Sequence, residues 1–191
     1  MAGALDGLRI AILATDGVER VELDQPRRAL EDAGAGTEVI SIKSGEILAR
    51  NHDLEDAGTI GVDRLVGAAS ADGYDALLLP GGTVNPDKLR MEPAAVEFVR
   101  TFVTSAKPVA AICHGPWTLV EADVVRGRRL TSYPSLRTDL RNAGAQVADE
   151  QVVTDGNLTT SRSPQDLPAF CERIVQEFAK VPTPNRRGGS S

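Results

Sequence analysis

The sequence has few of the residues that cross-link a protein or bind metal ions. Only two cysteines and two histidines occur among its 191 residues. Cys113 and Cys171 form no CxxC pair, so the sequence indicates no disulfide framework, zinc site or thioredoxin-like chemistry. Because the two histidines are separated and no ligand cluster accompanies them, we expect no metal centre and two reduced thiols.

Long apolar runs, basic clusters and nucleotide motifs are also absent. No apolar stretch approaches the roughly 20 residues of a membrane-crossing helix, and the N-terminus lacks a signal pattern, so we expect a cytoplasmic protein without a membrane partner. The net charge is −6, and no lysine or arginine cluster is interleaved with aromatics, so nucleic acid is not an expected partner. Neither G-x-G-x-x-G nor a P-loop occurs, and we expect no cofactor.

What the sequence does contain is an alternation of buried strands and amphipathic helices. Three apolar runs, at residues 8–14, 76–79 and 109–112, are typical of strands covered on both faces. Helical spacing of apolar residues is clearest at residues 96–103 and 167–178. This order predicts an α/β sandwich with a parallel central sheet.

The length allows one well-covered core, so we expect a single domain over residues 1–180. The pattern weakens at residues 45–61, which we interpret as a β-hairpin or an irregular excursion beside the sheet. Residues 181–191 are rich in Pro, Arg, Gly and Ser, a composition that predicts a flexible C-terminal tail.

The most informative segment is Pro-Val-Ala-Ala-Ile-Cys-His-Gly at residues 108–115. It places Cys113 where a buried strand turns abruptly into a helix. Since a helix N-terminus can lower the pKa of a thiol, we expect Cys113 to be partly ionised and nucleophilic. The alternative is a buried cysteine that only packs.

Ligands of parallel sheets bind beyond the carboxyl ends of strands whose connections diverge. If the three apolar runs are neighbours in the sheet, Glu19, the Gly81 and Gly82 amides and Cys113 converge on one small pocket. Two glycines there either permit a tight turn or expose N–H groups to an oxyanion. We therefore predict this strand edge as the site.

Glu19 is our first candidate for a carboxyl group near the thiol, kept protonated by desolvation and by like charge. Its alternative role is a capping box with Asp16 at the start of the first helix. Glu22 ranks second, because three residues around the first turn move it further from the strand end.

His114 follows Cys113 directly. Because consecutive side chains diverge in a sharp turn, we expect its imidazole not to serve Cys113 as a base. No histidine follows it, so a glutamine-amidotransferase triad is not available. Two roles remain open for His114, namely local hydrogen bonding and orientation by a carboxylate, which another subunit would supply.

Five motifs, in order along the chain, resemble the ThiJ/PfpI family, the group that contains intracellular protease I and the parkinsonism-associated deglycase. The resemblance spans Leu8 to about Phe178 and is closest to the PfpI-like branch. The motifs are Val18-Glu-Arg-Val-Glu-Leu23, Leu79-Pro-Gly-Gly82, Ala111-Ile-Cys-His-Gly-Pro116, Arg126-Gly-Arg-Arg-Leu-Thr-Ser-Tyr-Pro134 and Asp155-Gly-Asn157.

The resemblance implies a flavodoxin-like three-layer sandwich and assembly as a homodimer or hexamer. It also implies a cysteine on a nucleophile elbow facing a glutamate, which by motif position are Cys113 and Glu19, with His114 beside the cysteine.

In PfpI-type members an acidic residue of the neighbouring subunit approaches the histidine. The corresponding position here is Asp87, shorter than the glutamate of the archetypal protease, and its alternative role is an acid at a helix start. Tyr133 and Trp117 are expected either to line the pocket mouth or to pack.

For function, the resemblance implies a stress-response enzyme of the glyoxalase III or deglycase type, acting on a small reactive carbonyl. One alternative is an intracellular cysteine peptidase acting on peptides. A non-enzymatic alternative is a cysteine-based sensor of oxidative stress or a chaperone.

Overall fold

The three apolar runs form three neighbouring strands at the centre of the main sheet. Residues 3–182 are described by the computed structural model. Its strands are β1 (Arg9–Leu13), β2 (Val18–Glu19), β3 (Gly36–Ser41), β4 (Glu46–Asn51), β5 (Glu55–Gly61), β6 (Arg64–Leu65), β7 (Ala76–Leu79), β8 (Val109–Ile112), β9 (Arg129–Leu130), β10 (Gln146–Val147), β11 (Val152–Asp155) and β12 (Leu158–Ser161). Its helices are α1 (Arg20–Asp32), α2 (Val84–Leu89), α3 (Pro93–Thr104), α4 (Pro116–Glu121), α5 (Arg137–Asn142) and α6 (Leu167–Phe178).

The main sheet has seven strands in the order β11-β12-β8-β7-β1-β3-β6. Every neighbouring pair is parallel except β11 and β12, which run antiparallel. The predicted sandwich with a mostly parallel sheet is confirmed. The order reverses between β1 and β7, because the chain winds from β1 towards β3 on one side and from β7 towards β8 on the other.

Helices cover both faces of the sheet and bury two apolar cores. Ile10 and Ile12 of β1 pack into the core that contains residues of α1 and α6. Ala11 and Leu13 of the same strand pack into the core that contains residues of α3, α4 and α5. This alternation follows from the two-residue period of a strand, and it makes three layers.

The predicted hairpin is present as β4 and β5, which pair antiparallel. Strand β2 adds to β4 in parallel, with Val18 opposite Ala49, so a separate three-stranded sheet stands beside the main one. Because residues 18–19 pair with the hairpin, helix α1 begins only at Arg20. That late start decides which glutamate reaches the site.

Two further observations concern the chain as a whole. Across residues 3–182, no helix is long and apolar enough to cross a membrane. The predicted tail, residues 181–191, lies outside the described residues from residue 183 onward.

The core between the sheet and helix α6 generates a stability prediction. Phe170 is fully buried in it, so we expect Phe170→Ala to lower the free energy of unfolding by about 3–5 kcal/mol through lost burial and a residual cavity. Leu54→Ala is the matched control, since that side chain is 89% exposed and its truncation should cost less than about 0.5 kcal/mol. Urea denaturation measures both, and equal costs would contradict the assigned packing.

Candidate active site

Cys113 occupies a strained elbow between β8 and α4. Its φ is +62°, in the left-handed region that side chains other than glycine rarely adopt. The Cys113 N–H donates to the Ser161 carbonyl at 3.1 Å, and its own carbonyl accepts from the Tyr133 N–H at 3.0 Å. Strain held in place by neighbouring hydrogen bonds is typical of functional sites.

The elbow lies at the carboxyl ends of β1, β7 and β8, beside the reversal of strand order. Connections diverge there, which makes it the position where open α/β sheets bind ligands. The convergence of three loops that the sequence predicts is present, although the carboxyl group it brings to Cys113 differs from the one expected.

Gly81 packs against the elbow, and Gly82 packs against the loop after β1, each more closely than any side chain would allow. A Cβ on Gly81 would lie 2.3 Å from Glu22 Oε2 and 2.7 Å from Cys113 Cβ. Gly82 has φ +81°, and a Cβ there would lie 2.2 Å from the Gly17 carbonyl oxygen. The N–H groups of Gly82 and His114 lie near the Cys113 sulfur and act to lower its pKa.

Asn85 fixes this glycine turn to the loop after β1. Its amide nitrogen donates to the carbonyls of Pro80 and Gly81, each at 3.0 Å, and its Oδ1 accepts from the Thr15 N–H at 2.8 Å. The side chain is fully buried. The turn that carries the sulfur's amide donors is therefore held in position.

Glu22 is the carboxyl group that faces the thiol. It is completely buried, its Oε2 accepts from the Gly81 N–H at 2.9 Å, and its Oε1 has no hydrogen-bond partner among the described residues. Burial, helped by the charges of Glu19 and Asp53, raises the pKa of Glu22 to about 8, and the neighbouring Cys113 thiol and the Gly81 N–H oppose this rise only in part. Glu22 is thus protonated at neutral pH.

Glu19, the first candidate from the sequence, points elsewhere. Its two carboxylate oxygens accept from the N–H groups of His52 and Asp53, at 3.1 and 3.3 Å, at the tip of the β4–β5 hairpin. The physical reason is the late start of α1, which leaves Glu19 in β2. Glu22 lies in the first helical turn, where side chains tilt back towards the helix N-terminus.

The capping box that was the alternative for Glu19 is also absent. Asp16 accepts from the Leu48 N–H at 2.9 Å and pairs with Lys43, so it holds strand β4 instead of capping α1. Helix α1 has Glu19 as its N-cap residue, without a side-chain capping bond.

The expected lowering of the thiol pKa is wrong. Burial, followed by the charge and hydrogen bond of Glu22, raises the pKa of Cys113, and the Gly82 and His114 amides offset only part of this. Helix α4 has six residues, so its dipole is small beside the burial of a thiol that is 6% exposed. The resting group is a protonated thiol.

His114 also departs from the prediction, because its imidazole does meet its neighbour. Cys113 Sγ and His114 Nδ1 are 3.2 Å apart, since the left-handed elbow turns the two side chains to the same side. The other ring nitrogen, Nε2, lies 3.1 Å from the Ser135 hydroxyl. Burial lowers the pKa of His114, which keeps the ring neutral.

Two aromatic side chains hold this imidazole. Tyr133 stacks on it with centroids 4.7 Å apart, and Trp117 meets it edge-on at 5.8 Å. Trp117 is fixed in turn by a 2.8 Å hydrogen bond to Asp139. Both residues therefore pack against the site, and Tyr133 is also 39% exposed, at the opening of the elbow.

Asp53 is a site residue that the sequence did not indicate. Its carboxylate accepts from the N–H and the hydroxyl of Thr83, at 2.6 and 2.9 Å, directly after the glycine turn. Its charge also acts on the pKa values of Glu22 and His114. Ser135 was missed as well, although it directly follows the Tyr133-Pro134 motif.

Asp87 is exposed on helix α2, and within the described chain it makes no hydrogen bond or ion pair. Its approach to His114 of a neighbouring subunit stays a prediction. No group of three or more histidine, cysteine, aspartate or glutamate side chains in residues 3–182 is placed to hold a metal ion.

Comparison with known proteins places this geometry in a family context. The model of the DJ-1/PfpI family matches residues 8–177. The putative cysteine protease YraA of Bacillus subtilis is 41% identical over 162 residues, 85% of this chain and 93% of that protein. Protein/nucleic acid deglycase 2 of Escherichia coli is 44% identical over 165 residues, 85% of this chain and 92% of that protein.

Among solved structures, a two-domain protein of Anabaena variabilis with DJ-1/ThiJ/PfpI-like and ferritin-like domains superposes with a TM-score of 0.84 at 34% identity. The match covers 96% of this chain and 52% of that longer one.

The two glutamates can be told apart by the reactivity of Cys113. Above pH 8 the ionised Glu22 raises the thiol pKa, so Glu22→Gln should speed alkylation by iodoacetamide at pH 8–9 by about threefold, because a thiol pKa lower by about one unit gives more thiolate that is individually less nucleophilic. Glu19→Gln is the matched control and should leave the rate unchanged. Mass spectrometry of Cys113 follows the reaction, and acceleration by Glu19→Gln alone would contradict the assignment.

The raised pKa of Glu22 also predicts how stability changes with pH. Between pH 4.5 and about 8 the unfolded chain loses this proton while the folded chain keeps it, so stability falls as pH rises. At about 1.4 kcal/mol per unit, the loss approaches 5 kcal/mol. Glu22→Gln should therefore gain stability relative to wild type from pH 5 to 8 in chemical denaturation, and a constant difference between the two proteins would contradict the prediction.

Proposed function

The chain belongs to the DJ-1/PfpI family, and from that premise we propose that it is a cysteine-dependent enzyme of the glyoxalase III or deglycase type. Its substrates are small reactive carbonyl compounds, and Cys113 is the nucleophile. The observation that carries the proposal is the buried pair of Glu22 and Cys113, with the Gly82 and His114 N–H groups close to the sulfur.

This site suits a carbonyl substrate because it holds a proton donor and amide donors around one nucleophile. A protonated carboxyl group can give a proton to the carbonyl oxygen next to the attacked carbon as an enediol forms. Amides that face the sulfur also lie next to the oxygen of a carbonyl carbon bonded to that sulfur, as in an oxyanion hole. Glu22 and the two amides are the groups that fill these roles.

Activation of the thiol is coupled to substrate attack. The raised pKa of Cys113 and the lowered pKa of His114 both favour the neutral pair at rest. Nδ1 lies 3.2 Å from the sulfur, within reach of the thiol proton. The thiolate then forms only as the carbon–sulfur bond forms.

For an α-dicarbonyl such as methylglyoxal, the steps balance without an external oxidant. The Cys113 sulfur bonds to the aldehyde carbon, and the thiol proton ends on the aldehyde oxygen as a hemithioacetal. A proton moves from that carbon to the adjacent one through an enediol, with Glu22 as the acid and base, which leaves an α-hydroxy thioester. Water cleaves the carbon–sulfur bond, and lactate and the free thiol result.

Peptide hydrolysis through the same cysteine is the second candidate. It is favoured by the contact between Cys113 Sγ and His114 Nδ1, which is the nucleophile–base pair of a cysteine peptidase. The relative from Bacillus subtilis bears the name of a putative cysteine protease. In this candidate the protein assembles as a homodimer or hexamer, and Asp87 of a neighbouring subunit approaches His114.

Sensing of oxidative stress through Cys113 is the least favoured candidate. Peroxide oxidises the thiolate and not the thiol, and burial keeps Cys113 protonated. Its signature would be oxygen added to Cys113 before Cys171 under mild peroxide.

Turnover assays with two serine variants test the proposal. Purified protein should convert methylglyoxal to lactate, and Cys113→Ser should lose at least about a thousandfold in kcat because the nucleophile is removed. Cys171→Ser is the matched control, since that half-buried thiol on α6 lies outside the site and the variant should keep full activity.

The same proteins are assayed in parallel on a fluorogenic peptide. Peptide cleavage that depends on Cys113, without lactate formation, would replace the leading candidate by the peptidase. Equal consumption of methylglyoxal by wild type and Cys113→Ser would contradict the proposal outright.

A further inference from the structure

The imidazole of His114 has a partner at each ring nitrogen. Nδ1 lies 3.2 Å from Cys113 Sγ, and Nε2 lies 3.1 Å from the Ser135 hydroxyl oxygen. A neutral imidazole carries one N–H and one lone pair, so its two partners together select the tautomer. A base for the thiol needs its lone pair on Nδ1.

We propose that Ser135 is the residue that positions His114, by accepting a hydrogen bond from Nε2–H and so directing the Nδ1 lone pair at the Cys113 thiol. The hydroxyl belongs to the same chain as the imidazole, and the three residues together are called the Cys113-His114-Ser135 relay. The proposal deepens the proposed function. It rests on the proposed function only for the identity of the reaction in which His114 acts as the base.

Ser135 is held by the segment that also holds the elbow. The Tyr133 N–H donates to the Cys113 carbonyl at 3.0 Å, and the Tyr133 ring stacks on the imidazole. Residues Pro134–Leu136 then form one turn of 3₁₀ helix. The Leu136 N–H donates to the Tyr133 carbonyl, and the buried Leu136 side chain anchors the turn. The hydroxyl therefore has a fixed position relative to the ring.

A hydroxyl partner suits the burial of this site better than a carboxylate would. A carboxylate stabilises the imidazolium, whereas a hydroxyl fixes the tautomer without adding a charge. His114 is buried and Ser135 is exposed, so the hydroxyl approaches the buried ring from the solvent side. When Nδ1 takes the thiol proton, Nε2 keeps its own proton in the bond to Ser135, and Nδ1 later returns the proton it took to the substrate oxygen.

Nitrogen NMR of the imidazole tests the tautomer without any substrate. The chain has two histidines, so ¹⁵N-histidine labelling gives two ring systems, and His52→Gln assigns them. We expect the Nε2–H tautomer for His114 in wild type, a mixture with Nδ1–H in Ser135→Ala, and the wild-type form in Ser135→Thr. Ser44→Ala, an exposed serine in the turn before β4, is the control.

Kinetics test whether the tautomer matters. We expect Ser135→Ala to slow alkylation of Cys113 at pH 7 and to lower kcat by about tenfold with KM unchanged, as for the loss of a side chain that orients a functional ligand. Ser135→Thr should restore both to within about threefold, and Ser44→Ala should match wild type.

Two results would overturn the proposal. One is an unchanged His114 tautomer and alkylation rate in Ser135→Ala. The other is wild-type activity in Ser135→Ala together with a loss of activity in Asp87→Asn. That pair of results would assign the orienting role to the neighbouring subunit. If tautomer and alkylation respond as expected while methylglyoxal is not turned over, the relay stands and only the proposed reaction fails.

Discussion

The site depends on one constraint, the complete burial of the Glu22 carboxyl group against the Cys113 thiol. A carboxylate without water or a cation is costly, so the group keeps its proton to a pKa of about 8 and becomes a donor at neutral pH. The same burial keeps the thiol protonated. The reactive thiolate is therefore scarce at rest, and in the proposed reaction it forms only as the substrate is attacked.

Other features of the elbow follow from holding these two groups together. Gly81 has no room for a side chain because the Glu22 and Cys113 side chains already occupy that space. The hairpin tip is tied down by Glu19 and carries Asp53, which binds the residue after the glycine turn. The three-stranded sheet thus has a structural role in the site, because its hairpin holds the residue after the glycine turn and adds a negative charge that helps to raise the pKa of Glu22.

Much of the fold could be predicted from the sequence, because burial on both faces leaves continuous apolar runs in β1, β7 and β8. Strand β12 was missed because its buried residues are Leu-Thr-Thr-Ser, which lack an apolar signal. The choice of Glu19 over Glu22 failed because strand β2 delays the start of α1, and that pairing depends on a hairpin about 30 residues away. Asp53 meets the site through tertiary contacts that no local pattern indicates, and the one local signal for Ser135 was its place directly after the Tyr133-Pro134 motif. The thiol pKa was misjudged because burial outweighs a six-residue helix.

The most direct measurement is a ¹³C NMR titration of the glutamate side-chain carboxyl carbons in the wild-type protein, with Glu22 assigned from the spectrum of Glu22→Gln. The account predicts that the Glu22 carbon titrates near pH 8, while exposed glutamates titrate near their ordinary pKa. A midpoint for Glu22 between pH 4 and 5 would contradict the central claim, because the carboxyl group would then be charged at neutral pH and could not act as the proton donor beside Cys113.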